Sequence, residues 1–329
     1  MATLKDVARE AGVSIASASH ALNGSKPVSD GLRRRVEAAA ERVGYVPHAQ
    51  ARTLRTGRSR TLGVLLPDLG NPFFPALLQA VCSAANQAGY GTLVADAGGT
   101  PVGERAALEL LAAQRVDGFV WAPRDVPGEP PELPTVTVDR TADGCDGVTS
   151  DHRDAGRLVA RHLRAAGRER PAVLHGPTSV PSARERREGF REVWDGPLAY
   201  EAEVAFDHRL PPEVRRVLAD VSTRFDAAAC ANDAIALGVL RLLHRCGRRV
   251  PDDVAVVGVD DIAFAELAEP ALTTVRQPLE ALGREAVRLL IERIEGRGGP
   301  RRLVTLPVRL IVRGSSPQAT AVESDGRAR

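Results

Sequence analysis

Residues 3–24 read TLKDVAREAGVSIASASHALNG, and the spacing of small and apolar residues in this stretch decides the fold of the amino-terminal region. Thr3 stands where a helix cap belongs, with Asp6 three positions on to complete a weak capping box. Leu4, Val7, Ala8 and Ala11 fall on one helical face, and Gly12 supplies the left-handed stop. Only Gly12 and Val13 precede Ser14, a second cap, after which Ile15, Ala18 and Leu22 are spaced to face inward. Asn23-Gly24 ends that helix. Further out, Ser29 caps a third, longer helix with Leu32, Val36, Ala39, Ala40 and Val43 inward and Gly44 after it. Two short helices joined by a tight glycine turn, with a third across them, make a helix-turn-helix unit.

Charge singles out the same region. The whole chain of 329 residues has a formal charge of only +2. Residues 1–60 hold eleven basic against five acidic residues, a net +6, and the other 269 residues carry −4. A compact basic head on a mildly acidic body is the distribution of a nucleic-acid binder with a separate second task. Bases that merely solvate helices would give the same count, so charge alone leaves both readings open.

From Thr61 the texture changes. Short apolar runs alternate with helical stretches: LGVLL (62–66), TLVA (92–95), GFVW (118–121), PTVTV (134–138), AVLH (172–175), AAAC (227–230) and VAVVGV (254–259). Continuous apolar strands between amphipathic helices imply parallel sheets covered on both faces. The pattern runs twice, which predicts two stacked doubly wound α/β lobes with a cleft at the strand carboxyl ends. The hydrophobic content of 43% and charged content of 26% fit a globular protein. No apolar run approaches the roughly 18–20 residues of a membrane span. The amino terminus lacks the apolar core of a secretory signal, which points to the cytoplasm and to no membrane partner. Cys82, Cys145, Cys230 and Cys246 are scattered, so reduced thiols are expected rather than a disulfide framework or zinc site. Neither a metal nor another cofactor is expected.

TLKDVAREAGVS…ALNG, followed by GYVPHAQARTLRTGRS, resembles the LacI/GalR family of bacterial transcriptional regulators. LGVLLPDLGNPFF, SDHRDAGRLVARHL, ERREGF, ANDAIALGVL, VPDDVAVVGVDDIAFAELAEPALTTVRQP and VRLIVRGSS extend the likeness along nearly the whole chain. The resemblance implies a DNA-binding head over residues 1–46 and a hinge helix and linker over 47–60. A two-lobed core resembling periplasmic sugar-binding proteins (type I) would follow over 61–314. Lobe one would take about 61–149 and 276–304, and lobe two about 150–275 and 305–314. Residues 315–329 are polar and read as a disordered tail. The tail has no heptads like those of tetrameric family members, so a homodimer is expected.

In the head, Ile15 and Ala16 stand where the family varies its base readout. Both are apolar, suited to thymine methyls and unable to hydrogen-bond. His20 stands where the family usually has arginine, so the operator preference should differ from the common one. Thr3, Ser14, Ser17, Ser19 and Asn23 complete the expected DNA-facing set, the serines as caps and phosphate donors. In the hinge HAQARTLRT (48–56), Leu54 occupies the place of the family's leucine wedge for the minor groove, flanked by Arg52 and Arg55. A lone helix of about nine residues is marginal in water, so it should form against DNA and a partner hinge. His48 replaces a frequent asparagine cap.

In the core, the resemblance points to Phe73, Phe74, Asp139, Asp151, Arg186, Phe206, Asn232 and Asp260 as effector-binding residues. Carboxylates and amides suit hydroxyl groups, and an aromatic face suits the apolar side of a sugar or nucleoside. Helix capping is an equal alternative for Asp151 and Asp233. Trp121 reads as core, and LPPEV (210–214) departs from the family's pattern near Phe206. No nucleophile elbow, P-loop, dinucleotide fingerprint or metal-ligand spacing is present, so no catalytic residue is expected. A regulator binding a pseudo-palindromic operator as a homodimer, under the control of a small effector, is the leading reading. A solute-binding receptor or sugar-handling enzyme on the same core is the alternative, and it leaves residues 1–60 unexplained.

Overall fold

In the computed structural model, which describes residues 2–23, 26–45, 58–124 and 131–318, the chain divides between Ser59 and Arg60 into two compact units. The first contains α1 (Leu4–Glu10), α2 (Ile15–Asn23) and α3 (Asp30–Arg42). Thr3 and Asp6 form the capping box. Ser14 Oγ accepts from Ser17 N at 3.0 Å, and Ser29 Oγ from Leu32 N at 3.3 Å. Gly12 takes φ +61° at the turn. The buried side chains are Val7, Ala8, Ala11, Ala18, Ala21, Val36, Ala39 and Ala40. Ile15 departs from the expected inward stripe and is 49% exposed. It opens α2 and overhangs a core too small to cover it. Arg52, Leu54 and Arg55 of the expected hinge lie outside the described residues.

The second unit is built on two six-stranded sheets. Sheet one has the order β11 (Leu303–Leu306), β5 (Asp146–Ser150), β4 (Thr135–Val138), β3 (Gly118–Trp121), β1 (Thr61–Leu66) and β2 (Gly91–Asp96). All its neighbours pair in parallel. Sheet two has the order β12 (Arg309–Ile311), β10 (Thr273–Arg276), β9 (Ala255–Asp260), β8 (Ala227–Cys230), β6 (Pro171–His175) and β7 (Tyr200–Glu203). It is parallel except for β12, which runs antiparallel to β10. The strands β1, β3, β4, β6, β8 and β9 are apolar and almost wholly buried, as sheets covered on both faces require.

The chain passes between the lobes three times: after β5, after β10, and between β11 and β12. The last passage lies after Leu306, two residues beyond the expected boundary, because all of β11 pairs with β5. The expected disordered tail is corrected at its start. Ser315 and Ser316 are buried, with Ser315 Oγ donating to the Val256 carbonyl at 2.6 Å and Ser316 Oγ to Thr273 Oγ1 at 2.8 Å. Their polarity reads as solvent exposure in sequence, yet each hydroxyl is satisfied inside the fold. Trp121 is core as expected, its Nε1 donating to Glu104 Oε1 at 2.9 Å.

Candidate functional site

The carboxyl ends of the parallel strands supply the residues of one site between the lobes. Phe73 and Phe74 open α4 (Phe73–Gln87) after β1 and meet edge to face, 5.2 Å between centroids. Asp139 follows β4 and Asp260 ends β9, both at positive φ, +67° and +122°. His152 opens α6 (His152–Ala165), and Ser182 and Arg186 lie on α7 (Pro181–Val193), counting α5 as Pro101–Ala113. Phe206 follows β7, Asn232 precedes the helix Asp233–Arg245, and Gln277 follows β10. Asn71, Phe73, Phe74, Asp139, Arg140, Ser182, Arg186, Phe206, Asn232 and Asp260 line one cavity of about 10 Å³.

Two glycines bring the centre of the site together. A Cβ on Gly156 would lie 2.0 Å from the Arg186 carbonyl oxygen, and one on Gly189 would lie 1.9 Å from that of Arg153. Only glycine permits this approach of α6 and α7. The approach lets Arg186 Nη2 reach His152 Nδ1 at 3.2 Å. Arg186 also donates from Nη1 to the Ala231 carbonyl at 2.7 Å, and its Nη2 lies 3.5 Å from Asp260 Oδ1. His152 Nε2 meets the Asp139 carbonyl at 3.0 Å and lies 3.5 Å from Asp139 Oδ1. Gln277 Nε2 donates to Asp260 Oδ1 at 2.7 Å.

Electrostatics separate the two aspartates. Burial pushes the Asp139 carboxyl up, but the neighbouring side chains of His152, Arg140 and Arg186 outweigh it, leaving it below its ordinary value. Burial pushes Asp260 up to about 6, with Asp139 adding to the rise and Arg186, Gln277 and His152 opposing it. Asp233 is held well above the usual carboxylate range, first by burial and then by Asp260. Its oxygens accept from Thr274 Oγ1 at 2.5 Å and Ile262 N at 3.0 Å, so it braces the scaffold. Asn232 is the helix cap there, with Oδ1 accepting from Ile235 N at 2.9 Å. That leaves the buried Asn232 Nδ2 without a partner, and Asp139 Oδ1 and Gln277 Oε1 are likewise without hydrogen bonds. Buried polar atoms left open in this way suit a ligand rich in donors and acceptors.

Seven of the eight expected core residues therefore converge. Asp151 does not line the cavity; its Oδ1 caps α6 by accepting from Asp154 N at 2.7 Å. Asn71, Arg140, His152, Ser182 and Gln277 were not among the expected site residues, though Asn71, His152 and Gln277 lie inside the quoted motifs, Arg140 directly follows Asp139, and Ser182 lies three residues before ERREGF. LPPEV begins a short helix, Pro212–Ala219, with Leu210 and Val214 buried. The wall at Phe206 is set instead by Gly176, where a Cβ would come within 2.4 Å of the ring. In the head, Ile15 and Ala16 are exposed, Ser17, Ser19 and His20 half-buried, and Thr3 and Ser14 exposed. The side chain of Asn23 lies outside the described residues.

No group of histidine, cysteine and acidic side chains among the described residues could hold a metal ion, and all four cysteines are free thiols. No described helix is long and apolar enough to cross a membrane.

Residues 3–48 match the bacterial regulatory proteins of the lacI family, and residues 160–316 match the periplasmic binding protein-like domain. The chain is 33% identical to the ribose operon repressor of Halalkalibacterium halodurans, over 95% of this chain and 96% of that one. It is 31% identical to the HTH-type transcriptional repressor PurR of Photobacterium profundum, over 96% and 98%. The structure of the lac repressor dimer bound to operator and the anti-inducer ONPF superposes with a TM-score of 0.83 at 29% identity, over 96% and 99%. Head and core are thus matched in order over nearly the full length of each relative. The chain belongs to the lacI family of bacterial regulatory proteins and is a DNA-binding transcriptional regulator, not an enzyme.

Proposed function

We propose that the protein is a cytoplasmic repressor that binds a pseudo-palindromic operator as a homodimer, under the control of a small sugar held between the two sheets. The observation that carries the effector reading is the convergence of Asp139, Arg186, Asn232 and Asp260 beside Phe74 and Phe206. Asp139 Oδ1 offers an open acceptor and Asn232 Nδ2 an open donor, a pair that matches hydroxyls able to donate and accept. The two rings suit the apolar face of a sugar. The similarity to a ribose operon repressor favours a pentose.

The DNA reading rests on α2. In this reading Ile15 and Ala16 meet base edges, Ser14, Ser17, Ser19, Thr3 and Asn23 bind phosphates, and His20 takes a base or phosphate. Arg52, Leu54 and Arg55 would complete contact in the minor groove. Homodimer formation is supported by apolar side chains left exposed on sheet one's edge and the following helix, Leu93, Val94, Val102 and Leu110.

A thermal-shift screen against pentoses, hexoses, nucleosides and sugar phosphates tests the effector. A pentose should raise the melting temperature, since binding to the native state alone stabilises it. Mobility shifts with the DNA upstream of its own coding sequence test the operator. A protein that binds no such fragment, with or without each compound, refutes the repressor reading.

A further inference from the structure

The chain enters the core through a residue held in a conformation that arginine seldom takes. Arg60 is the first residue of the second compact unit and has φ +53°, in the left-handed region. Such a backbone angle persists only where the surroundings fix it, and here they do. The Arg60 N–H donates to Asp117 Oδ2 at 2.9 Å, and the Arg60 carbonyl accepts from Gly91 N at 2.9 Å. The guanidinium carbon lies 5.8 Å from the Tyr90 ring centroid, and a Cβ on Gly89 would come within 3.4 Å of Nη1. Asp117 N in turn donates to the Thr61 carbonyl at 2.8 Å. The amino ends of β1, β2 and β3 thus grip one exposed residue, at the opposite end of sheet one from the strand-end residues of the cleft.

We propose that Asp117 and Arg60 are positioning residues for operator binding: the carboxylate holds Arg60 left-handed, and that turn fixes the direction in which the chain leaves the core for the head. The inference rests on the repressor reading above. A tether that only joined two units would need no such hold, because an extended or right-handed Arg60 costs less. Freedom at this residue would let each head sample many directions, and that freedom would have to be given up again on an operator with two half-sites. A preset direction removes that loss. It strengthens binding where both heads must sit in register and leaves contacts with arbitrary DNA unaffected.

Two substitutions at position 60 separate conformation from charge. Arg60→Asn and Arg60→Val remove the same charge, but asparagine accepts a left-handed backbone and a β-branched residue resists it. Arg60 is exposed, so both variants should fold, which melting curves check. The probes are a duplex selected from random-sequence DNA by the wild-type protein and a scrambled duplex of the same length. Arg60→Val should bind the selected duplex about tenfold more weakly than Arg60→Asn, the loss expected from freeing the backbone of one residue. The two should bind the scrambled duplex equally. Equal affinity for the selected duplex overturns the proposal. Asp117→Ala should show the same selective loss, and Asp117→Asn, which keeps an oxygen acceptor, should stay within about threefold of wild type. Removal of an acidic charge alone would tighten binding to both duplexes in both variants, and that result also overturns the proposal. If selection with the wild type enriches no sequence, the repressor reading falls and the proposal with it.

Discussion

His152 Nδ1 lies 3.2 Å from Nη2 and 3.4 Å from Nε of Arg186, while the other ring nitrogen faces the Asp139 carbonyl at 3.0 Å. A guanidinium only donates and a carbonyl only accepts. The ring therefore carries its proton on Nε2 and turns a lone pair toward Arg186. One imidazole couples an arginine of the second lobe to a strand-end aspartate of the first.

His152→Phe keeps the ring volume and removes both nitrogens. The buried donors of Arg186 lose an acceptor, so the variant should be destabilised by about 1–3 kcal/mol in urea titrations. His152→Asn, whose Oδ1 takes the place of Nδ1, should recover part of that loss. Equal stability of His152→Phe and wild type would show that the pair contributes nothing.

The raised Asp260 carboxyl makes two pH-dependent quantities move in opposite senses. Its value in the fold, about 6, exceeds the ordinary 3.8. Its protonation thus favours the folded state: the contribution is full below about 3.8 and lost as pH rises through about 6. Effector hydroxyls need the ionised form as acceptor, so affinity should rise over the same interval. Calorimetric titrations from pH 5 to 7.5 should show this rise, and Asp260→Asn should flatten it.

Gly189→Ala should separate α6 from α7, since its Cβ would meet the Arg153 carbonyl oxygen at 1.9 Å. A cost of roughly 1–3 kcal/mol is expected, with a loss of effector affinity because Arg186 and His152 ride on the two helices. Differential scanning calorimetry and ligand titration check both; an unchanged melting temperature would mean that the helices tolerate the methyl group.

Leu54→Ala should weaken specific operator binding and leave dimer formation and effector affinity intact. Because phosphate contacts release counterions, operator affinity should also fall steeply between 50 and 200 mM salt, by roughly 10³-fold or more if each head makes several contacts. Gel shifts across salt concentrations measure both effects.

Val94→Glu places a charge on the edge strand β2, where Val94 is 42% exposed. If this strand belongs to the dimer surface, the variant should sediment as a monomer and lose operator affinity, whereas the wild type should be a dimer by light scattering.

The legibility of this chain follows the range of the interactions involved. Thr3, Ser14 and Ser29 act on neighbours three residues away, so local spacing reveals them. Strands such as VAVVGV are apolar because both faces are covered, which also shows in sequence. Strand β5, DGVTS, and the short β10 to β12 carry polar residues whose partners lie far along the chain. No local pattern marks them. The same holds within the site. Arg186, Asn232 and Asp260 stand in recognisable motifs, whereas Arg140 gains its place from Phe206 across the cleft and His152 from Arg186 on the neighbouring helix of its own lobe. Ile15 departs from its helical stripe because a stripe does not say where a small core ends.

The three passages of the chain between the lobes govern when each lobe can be finished during synthesis. Sheet one needs β11 to cover β5, and those residues are translated after nearly all of sheet two. Sheet two in turn waits for β12 and for Ser315 and Ser316, which close on Val256 and Thr273. Neither lobe can complete while the ribosome still holds residues 303–316. The core is therefore finished late, with exposed strand edges until then, while the three helices of the head pack on one another within the first 45 residues and are free to fold once those have emerged.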